Sequence, residues 1–198
     1  MKDYWITRYA EQGEKTVGNR AFTQEDFREN SVVVERLASF FFRKTFSGKV
    51  LDFGCGWGRL SKILSVNGCE VFGVDIVPQA IERAQEYVPQ GVFQVYDGKE
   101  LPFPDGSFDG ILTWTVLQHI PREEIGLTVS ELLRVLKPGG KIVCYENTSP
   151  LPDKEHIWFR HSGAYALLFN EISLHRTVNF PRMDGNEEMH TLFVWEKP

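Results

Sequence analysis

Cysteine is scarce in this chain. Cys55, Cys69 and Cys144 are odd in number and lack the close paired spacing of a zinc site. A disulfide framework and a metal centre are therefore not expected, and a reduced, cytoplasmic setting is the natural reading. Long apolar runs are missing as well. No stretch approaches membrane-spanning length, and Met1-Lys2-Asp3-Tyr4-Trp5 carries no apolar leader core. Nor is there an excess of positive charge. The formal net charge of -5 argues against nucleic acid or an anionic membrane as the main partner. Repeats and low-complexity segments are absent. What remains is ordinary globular composition, 42% hydrophobic and 25% charged over 198 residues. That is enough for one domain with a real core, as a monomer or homodimer.

The most informative stretch is Val50-Leu51-Asp52-Phe53-Gly54-Cys55-Gly56-Trp57-Gly58-Arg59. A short apolar run ends in an acid, glycines alternate with other residues, and a helical pattern begins at once. This predicts a buried strand turning tightly into a helix, with backbone small enough for a ligand to press against. The helix start offers unpaired N–H groups, which suits a polar or anionic part of a nucleotide-like cofactor.

From Lys49 onward strand-like and helix-like patterns alternate. Strands are predicted at Lys49–Phe53, Cys69–Val74, Val92–Tyr96, Phe108–Trp114 and Lys141–Glu146. Helices are predicted at Arg59–Val66, Pro78–Tyr87 and Arg122–Leu136, the last ended by Lys137-Pro138-Gly139-Gly140. Strands joined by helices imply a parallel sheet with helices on both faces, with ligands beyond the carboxyl ends of the strands. Before this region, Tyr4, Trp5 and Tyr9 lie along one side of a short helix, and Gly13, Gly18 and Asn19 break it. Residues 1–29 are either a packed strap or a lid. Asn30 or Ser31 then caps a helix carrying Val32, Val33, Leu37, Phe40 and Phe41.

Three successive strands end in an acid: Asp52, Asp75 and, in Tyr96-Asp97-Gly98, Asp97. At Asp75 a carboxylate can accept from both hydroxyls of a ribose, and it can equally cap the helix beginning at Pro78. At Asp97 a carboxylate can accept from an adenine amino group, or simply form a turn. A nicotinamide-binding fingerprint would need its third glycine at position 59, where Arg59 stands instead.

With these residues in hand, the chain resembles the class I S-adenosylmethionine-dependent methyltransferases. Within them it is most similar to the small-molecule group that includes ubiquinone-biosynthesis-type enzymes. Leu51 through Gly58 looks like the family's first motif, and Val71-Phe-Gly-Val-Asp75 like its ribose-binding motif. Asp97, with Leu101-Pro102-Phe103-Pro104-Asp105-Gly106-Ser107-Phe108-Asp109, is similar to the adenine-side motif. Leu133-Arg134-Val135-Leu136-Lys137-Pro138-Gly139-Gly140 is similar to the approach to the fifth strand. The resemblance runs from about Lys49 to Glu146. It implies a Rossmann-like three-layer αβα sandwich, α/β in class. The sheet would have seven strands, mostly parallel, with an antiparallel last strand completed by Ile172–Val178 and Thr191–Glu196.

The resemblance also implies S-adenosyl-L-methionine as cofactor, with S-adenosyl-L-homocysteine as product. Asp52, Gly54, Cys55 and Gly56 would surround its methionine part, Asp75 its ribose, and Ile76, Asp97 and Gly98 its adenine. Trp114 would line the acceptor side or pack beneath the cofactor. His119, just past the fourth strand, is the best-placed general base, or else supports its loop by hydrogen bonding. The segment 147–170 is the candidate acceptor side, where Arg160, His156 and His161 could hold an acidic acceptor or belong to an ordinary loop. With little room for a separate substrate domain, a small-molecule acceptor methylated at O, N or C is expected. A protein or RNA acceptor, or a non-catalytic cofactor-binding subunit, are the alternatives.

Overall fold

The computed structural model describes residues 2–14, 35–36, 38–181 and 188–198. The turn residues Gly18 and Asn19, the cap at Asn30 or Ser31, Val32, Val33, Leu37 and the linker 182–186 lie outside them. The chain divides into two compact units, Met1–Gly98 and Lys99–Pro198.

The first unit holds α1 (Lys2–Gln12), α2 (residues 38–45), β1 (Lys49–Phe53), α3 (Arg59–Val66), β2 (Glu70–Asp75), α4 (Pro78–Tyr87) and β3 (Val92–Val95). In β1 every residue after Lys49 is buried, as a strand covered on both faces requires. β1 pairs in parallel with β2, Lys49 opposite Glu70 through Phe53 opposite Val74, and β2 pairs in parallel with β3. α3 ends where predicted. Asn67 Nδ2 donates to the Ile63 carbonyl at 3.0 Å, and Gly68 takes the left-handed conformation that stops a helix. Gly73 in β2 is a close-approach glycine, because a Cβ there would collide with the Phe93 ring. β3 stops one residue short of the predicted Tyr96, yet Tyr96 N–H still donates to the Asp75 carbonyl at 2.8 Å.

The second unit holds β4 (Phe108–Trp114), a 3₁₀ turn (Leu117–His119), α5 (Ile125–Val135), β5 (Leu136–Asn147), α6 (Ser162–Leu168), β6 (Ser173–Pro181) and β7 (Met189–Glu196). β4 and β5 are parallel, while β7 runs antiparallel to both β5 and β6. The seven strands follow the order β3-β2-β1-β4-β5-β7-β6. The last strand is thus inserted beside β5, and the mostly parallel, helix-flanked Rossmann-like sheet is present. The core of this unit includes Ile111, Leu112, Ile142, Val143 and Cys144, all fully buried. On the face of Cys144, α6 is docked by rings: Phe169 stacks on Trp195 at 4.4 Å between centroids, and Tyr165 lies 5.6 Å from Phe193.

The two boundaries that flank α5 also correct the sequence reading. α5 begins at Ile125 rather than Arg122, because residues 122–124 form a turn on Pro121, whose carbonyl accepts from both Glu124 and Ile125 N–H at 3.1 and 3.0 Å. The fifth strand begins at Leu136, directly after the helix, rather than at Lys141. Leu136 is fully buried opposite Phe108, so a sheet position outweighs one more helical residue. A register shift between Phe108 and Gly110 then absorbs the extra residues of Lys137-Pro-Gly-Gly.

Candidate functional site

In the first unit the turn after β1 is built by backbone alone. Gly54, Gly56 and Gly58 all have positive φ, at 75°, 52° and 86°. A side-chain-bearing residue would be strained at each, which is the physical reason for the alternation. Gly54 and Cys55 N–H both donate to the Val74 carbonyl, at 2.8 and 3.0 Å, fastening the turn to β2.

Asp75 is brought to the same place. One carboxylate oxygen accepts from Gly56 N–H at 2.9 Å and the other from Val77 N–H at 3.0 Å. It therefore braces the glycine turn and the chain leading into α4 at once; it does not cap that helix, whose N-cap, Val77, is met by no capping side chain. A carboxylate has about four lone-pair positions, so two remain for a diol. Burial is the main force pushing its pKa up, opposed by those N–H donors.

Asp52 behaves differently. It is only 2% exposed and accepts from Ser61 Oγ of α3 at 2.6 Å. Burial pushes it up to about 7, with the charge of Asp75 adding to the rise. A cation placed near it would favour its ionised form. Cys55 is buried, and burial raises its thiol well above the ordinary value. Ile76 is half-buried beside Asp75, whereas Asp97 and Gly98 are exposed beyond β3, Gly98 with φ 92°. These eight residues all fall at the carboxyl ends of β1, β2 and β3.

In the second unit Trp114 is the last residue of β4 and stacks on Tyr145 of β5, 4.2 Å between centroids and 19° between planes. Tyr145 in turn stacks on His190 at 5.2 Å and lies 5.8 Å from Phe180, so a row of rings crosses four strands. Thr115 follows with φ 55°, an uncommon conformation for a β-branched residue.

The 3₁₀ turn is then held by a residue the sequence reading did not single out. Glu146, fully buried, accepts from the N–H groups of Val116 and Leu117 at 3.0 Å each and of Gln118 at 3.1 Å. Burial pushes its carboxyl up to about 7 against those three donors. An acid ending an otherwise apolar strand, Lys-Ile-Val-Cys-Tyr-Glu, was the available signal.

His119 has both ring nitrogens committed. Nδ1 lies 2.7 Å from the His156 carbonyl, which can only accept, so the proton is assigned to Nδ1. Nε2 lies 3.2 Å from Gln118 Nε2, and Gln118 Oε1 is taken by the Asn147 N–H at 3.0 Å. The lone pair a general base would use thus faces an amide donor. Arg160 is also spoken for. It is 4% exposed and donates to the carbonyls of Leu117, Trp158 and Ile120 at 3.0, 3.2 and 2.7 Å. It is a buried tie between the turn and the segment after β5, not a free cation for an acidic acceptor. His156 contributes its carbonyl to the same seam, and His161 is exposed at the cap of α6.

Residues 51–144 match the family model of the methyltransferase domain. Over those residues the chain carries a methyltransferase domain. A demethylmenaquinone methyltransferase of Staphylococcus aureus (strain JH9) is 32% identical over 163 residues, 73% of this chain and 65% of that protein. A 2-methyl-6-phytyl-1,4-hydroquinone methyltransferase of Synechocystis is 45% identical over 98 residues, 48% of this chain and 30% of that protein. The chain spans between 30% and 65% of the lengths of these two curated relatives. Among solved structures, the PH0226 protein of Pyrococcus horikoshii OT3 superposes with a TM-score of 0.75 at 26% identity, covering 100% of both chains.

Within this methyltransferase domain, the motif from Leu101 to Asp109 and the motif around Arg134 are one structural piece. Arg134 binds both oxygens of Glu131 at 2.7 and 2.8 Å, Asp105 at 2.8 Å, and the Leu101 and Phe103 carbonyls at 3.1 and 2.9 Å. Glu131 returns to accept from Leu101 N–H at 2.8 Å. No His, Cys, Asp and Glu grouping able to hold a metal occurs among the described residues.

Proposed function

We propose that this chain is an S-adenosylmethionine-dependent methyltransferase acting on a nucleophile of a small molecule. The observation that carries the reading is Asp75, held between the Gly56 and Val77 N–H groups at the mouth of a three-glycine turn. That arrangement keeps a carboxylate pre-oriented with lone pairs to spare, which is what a ribose diol requires. Gly54 and Gly56 leave backbone open to the methionine part, Asp52 supplies a nearby negative charge for its ammonium, and Ile76, Asp97 and Gly98 border the adenine. When bound, the sulfonium supplies an activated methyl and a neutral leaving group.

The chain's own work is alignment and exclusion of water. His119, with its Nε2 against Gln118, acts as a clamp of the turn after β4 and not as the base. An acceptor atom already nucleophilic, such as an electron-rich ring carbon, suits that arrangement. The names of the relatives, a hydroquinone and a demethylmenaquinone methyltransferase, favour the same kind of ring. The rings of Trp114 and Tyr145 are the proposed acceptor-side wall. The three cysteines are free and buried, in keeping with a reduced cytoplasm. No helix among the described residues is long and apolar enough to cross a membrane.

Calorimetry with S-adenosylmethionine and S-adenosylhomocysteine tests the cofactor, and binding of both is expected. A transfer screen on metabolite extracts, read by mass spectrometry, tests the acceptor, with mass gains of one methyl on small aromatic compounds expected. Absence of cofactor binding would overturn the reading.

A further inference from the structure

α1 buries none of its residues, so the hydrophobic core does not explain why it lies against α4. A polar contact fastens its end. Gly13, with φ 56°, terminates the helix and turns the chain. Glu14 then makes two bonds. Its carboxylate meets Arg83 Nε at 2.9 Å, and its carbonyl accepts from Trp57 Nε1 at 3.2 Å.

The receiving surface is ordered in its own right. Trp57 packs edge-on against Tyr87 at 5.1 Å between centroids, and the Arg83 guanidinium lies over the same ring at 5.8 Å. Trp57 belongs to the glycine turn itself and is 7% exposed. Further back along α1, the Tyr9 hydroxyl has its pKa raised by burial, then by the charge of Glu14, and also by that of Asp75. Tyr9 is therefore within the field of the carboxylate at the end of β2. Glu14, two residues past the end of α1, thus touches Trp57, which closes the turn Gly54–Trp57.

We propose that Lys2–Glu14 is a cover for the cofactor turn, latched by Glu14 to Trp57 and Arg83, and that this latch governs how long the cofactor stays bound. The proposal rests on the reading of the turn as the S-adenosylmethionine site. Glu14, Trp57 and Arg83 are positioning residues in it. The helix contributes little to the core and can open when the latch breaks, so the effect falls on dissociation.

The test is the dissociation rate of S-adenosylhomocysteine from the whole chain, measured by stopped-flow displacement in Glu14→Gln, Arg83→Gln and Trp57→Phe. The Glu14–Arg83 side chains are each 42% exposed. Loss of such a pair speeds release by about two- to five-fold, and loss of the indole donor by about three- to ten-fold. The Glu14→Gln/Arg83→Gln double variant should be no faster than either single variant, since both remove one bond. Melting temperatures without cofactor should stay near the parent value in Glu14→Gln and Arg83→Gln, whose side chains are partly exposed. Unchanged release in all variants would overturn the proposal and leave the cofactor reading standing. So would apo melting temperatures that fall in step with faster release, which would make the contact merely structural. No binding by the parent chain would overturn the cofactor reading itself.

Discussion

The two units handle the same problem, holding a loop at the carboxyl end of a strand, by opposite means. In the first, the turn after β1 is shaped by glycine backbone and braced by one side chain, Asp75. In the second, the turn after β4 is shaped by side chains from distant positions. Glu146 grips three successive N–H groups, Gln118 and His119 lock onto Asn147 and His156, and Arg160 collects three carbonyls. The difference follows from what each turn must do. In the proposed reading, backbone has to be bare where a cofactor presses against it, whereas an acceptor wall is made of side chains whose rotamers need fixing. On that reading damage should separate: substitutions in the first turn should change cofactor binding, and those in the second loop order.

The largest expected effect is on the first turn. Asp75→Ala removes two charge-assisted bonds of about 1.5–3 kcal/mol each to a ribose, so S-adenosylmethionine affinity should fall by about a hundred-fold or more in calorimetry. Unchanged affinity would refute the ribose assignment. Next comes Glu146→Ala in the second turn. It strands buried N–H donors, so stability should fall by about 2–3 kcal/mol in urea unfolding. S-adenosylhomocysteine affinity should stay within about three-fold. An equal loss of cofactor binding would erase the contrast between the turns.

A pH series treats the turns alike and is the third prediction. Burial lifts Asp52 and Glu146 to about 7, above the ordinary 3.8 and 4.5 they regain on unfolding. Between about pH 4 and pH 7 the folded chain holds protons that the unfolded chain has released. Stability of the ligand-free protein should therefore be greater at the acid end of this window and fall as pH rises through it. The slope is at most about 1.4 kcal/mol per pH unit for each group. Asp52→Asn and Glu146→Gln should each flatten the curve measured by thermal melting. Glu131 and Asp153 are held low by the guanidinium bonds of Arg134 and Arg122, and so act only below the window. The smallest effect expected is that of His119→Ala on chemistry. Turnover at saturating acceptor should fall by less than about three-fold, with acceptor KM rising as the seam to His156 loosens. A loss of several hundred-fold in kcat would restore the base assignment.

The glycine turn and the acid beside it were readable in advance because their requirements are local. Alternating glycines, a strand-ending acid and Pro78 at a helix start each act on their immediate neighbours, so the order of residues already encodes them. The arrangement of the turn after β4 was not. His119 read as a candidate base because sequence shows a titratable ring beside a strand end but not the His156 carbonyl 37 positions on. Arg160 read as a cation for an acidic acceptor or an ordinary loop residue because nothing local marks its three carbonyl partners. Leu136 read as the end of a helix because its partner Phe108 is supplied by another strand. Glu146 passed as a strand residue for the same reason.

By itself, then, the sequence determined the succession of strands and helices, the glycine turn and the acids that close the strands. All of these depend on propensities and spacings within a few residues. Only the tertiary structure decided which polar side chains are spent on holding the fold and which stay available to a ligand. That choice depends on partners many positions away, and burial enforces it, because an unpaired buried polar group costs more than the bond that satisfies it.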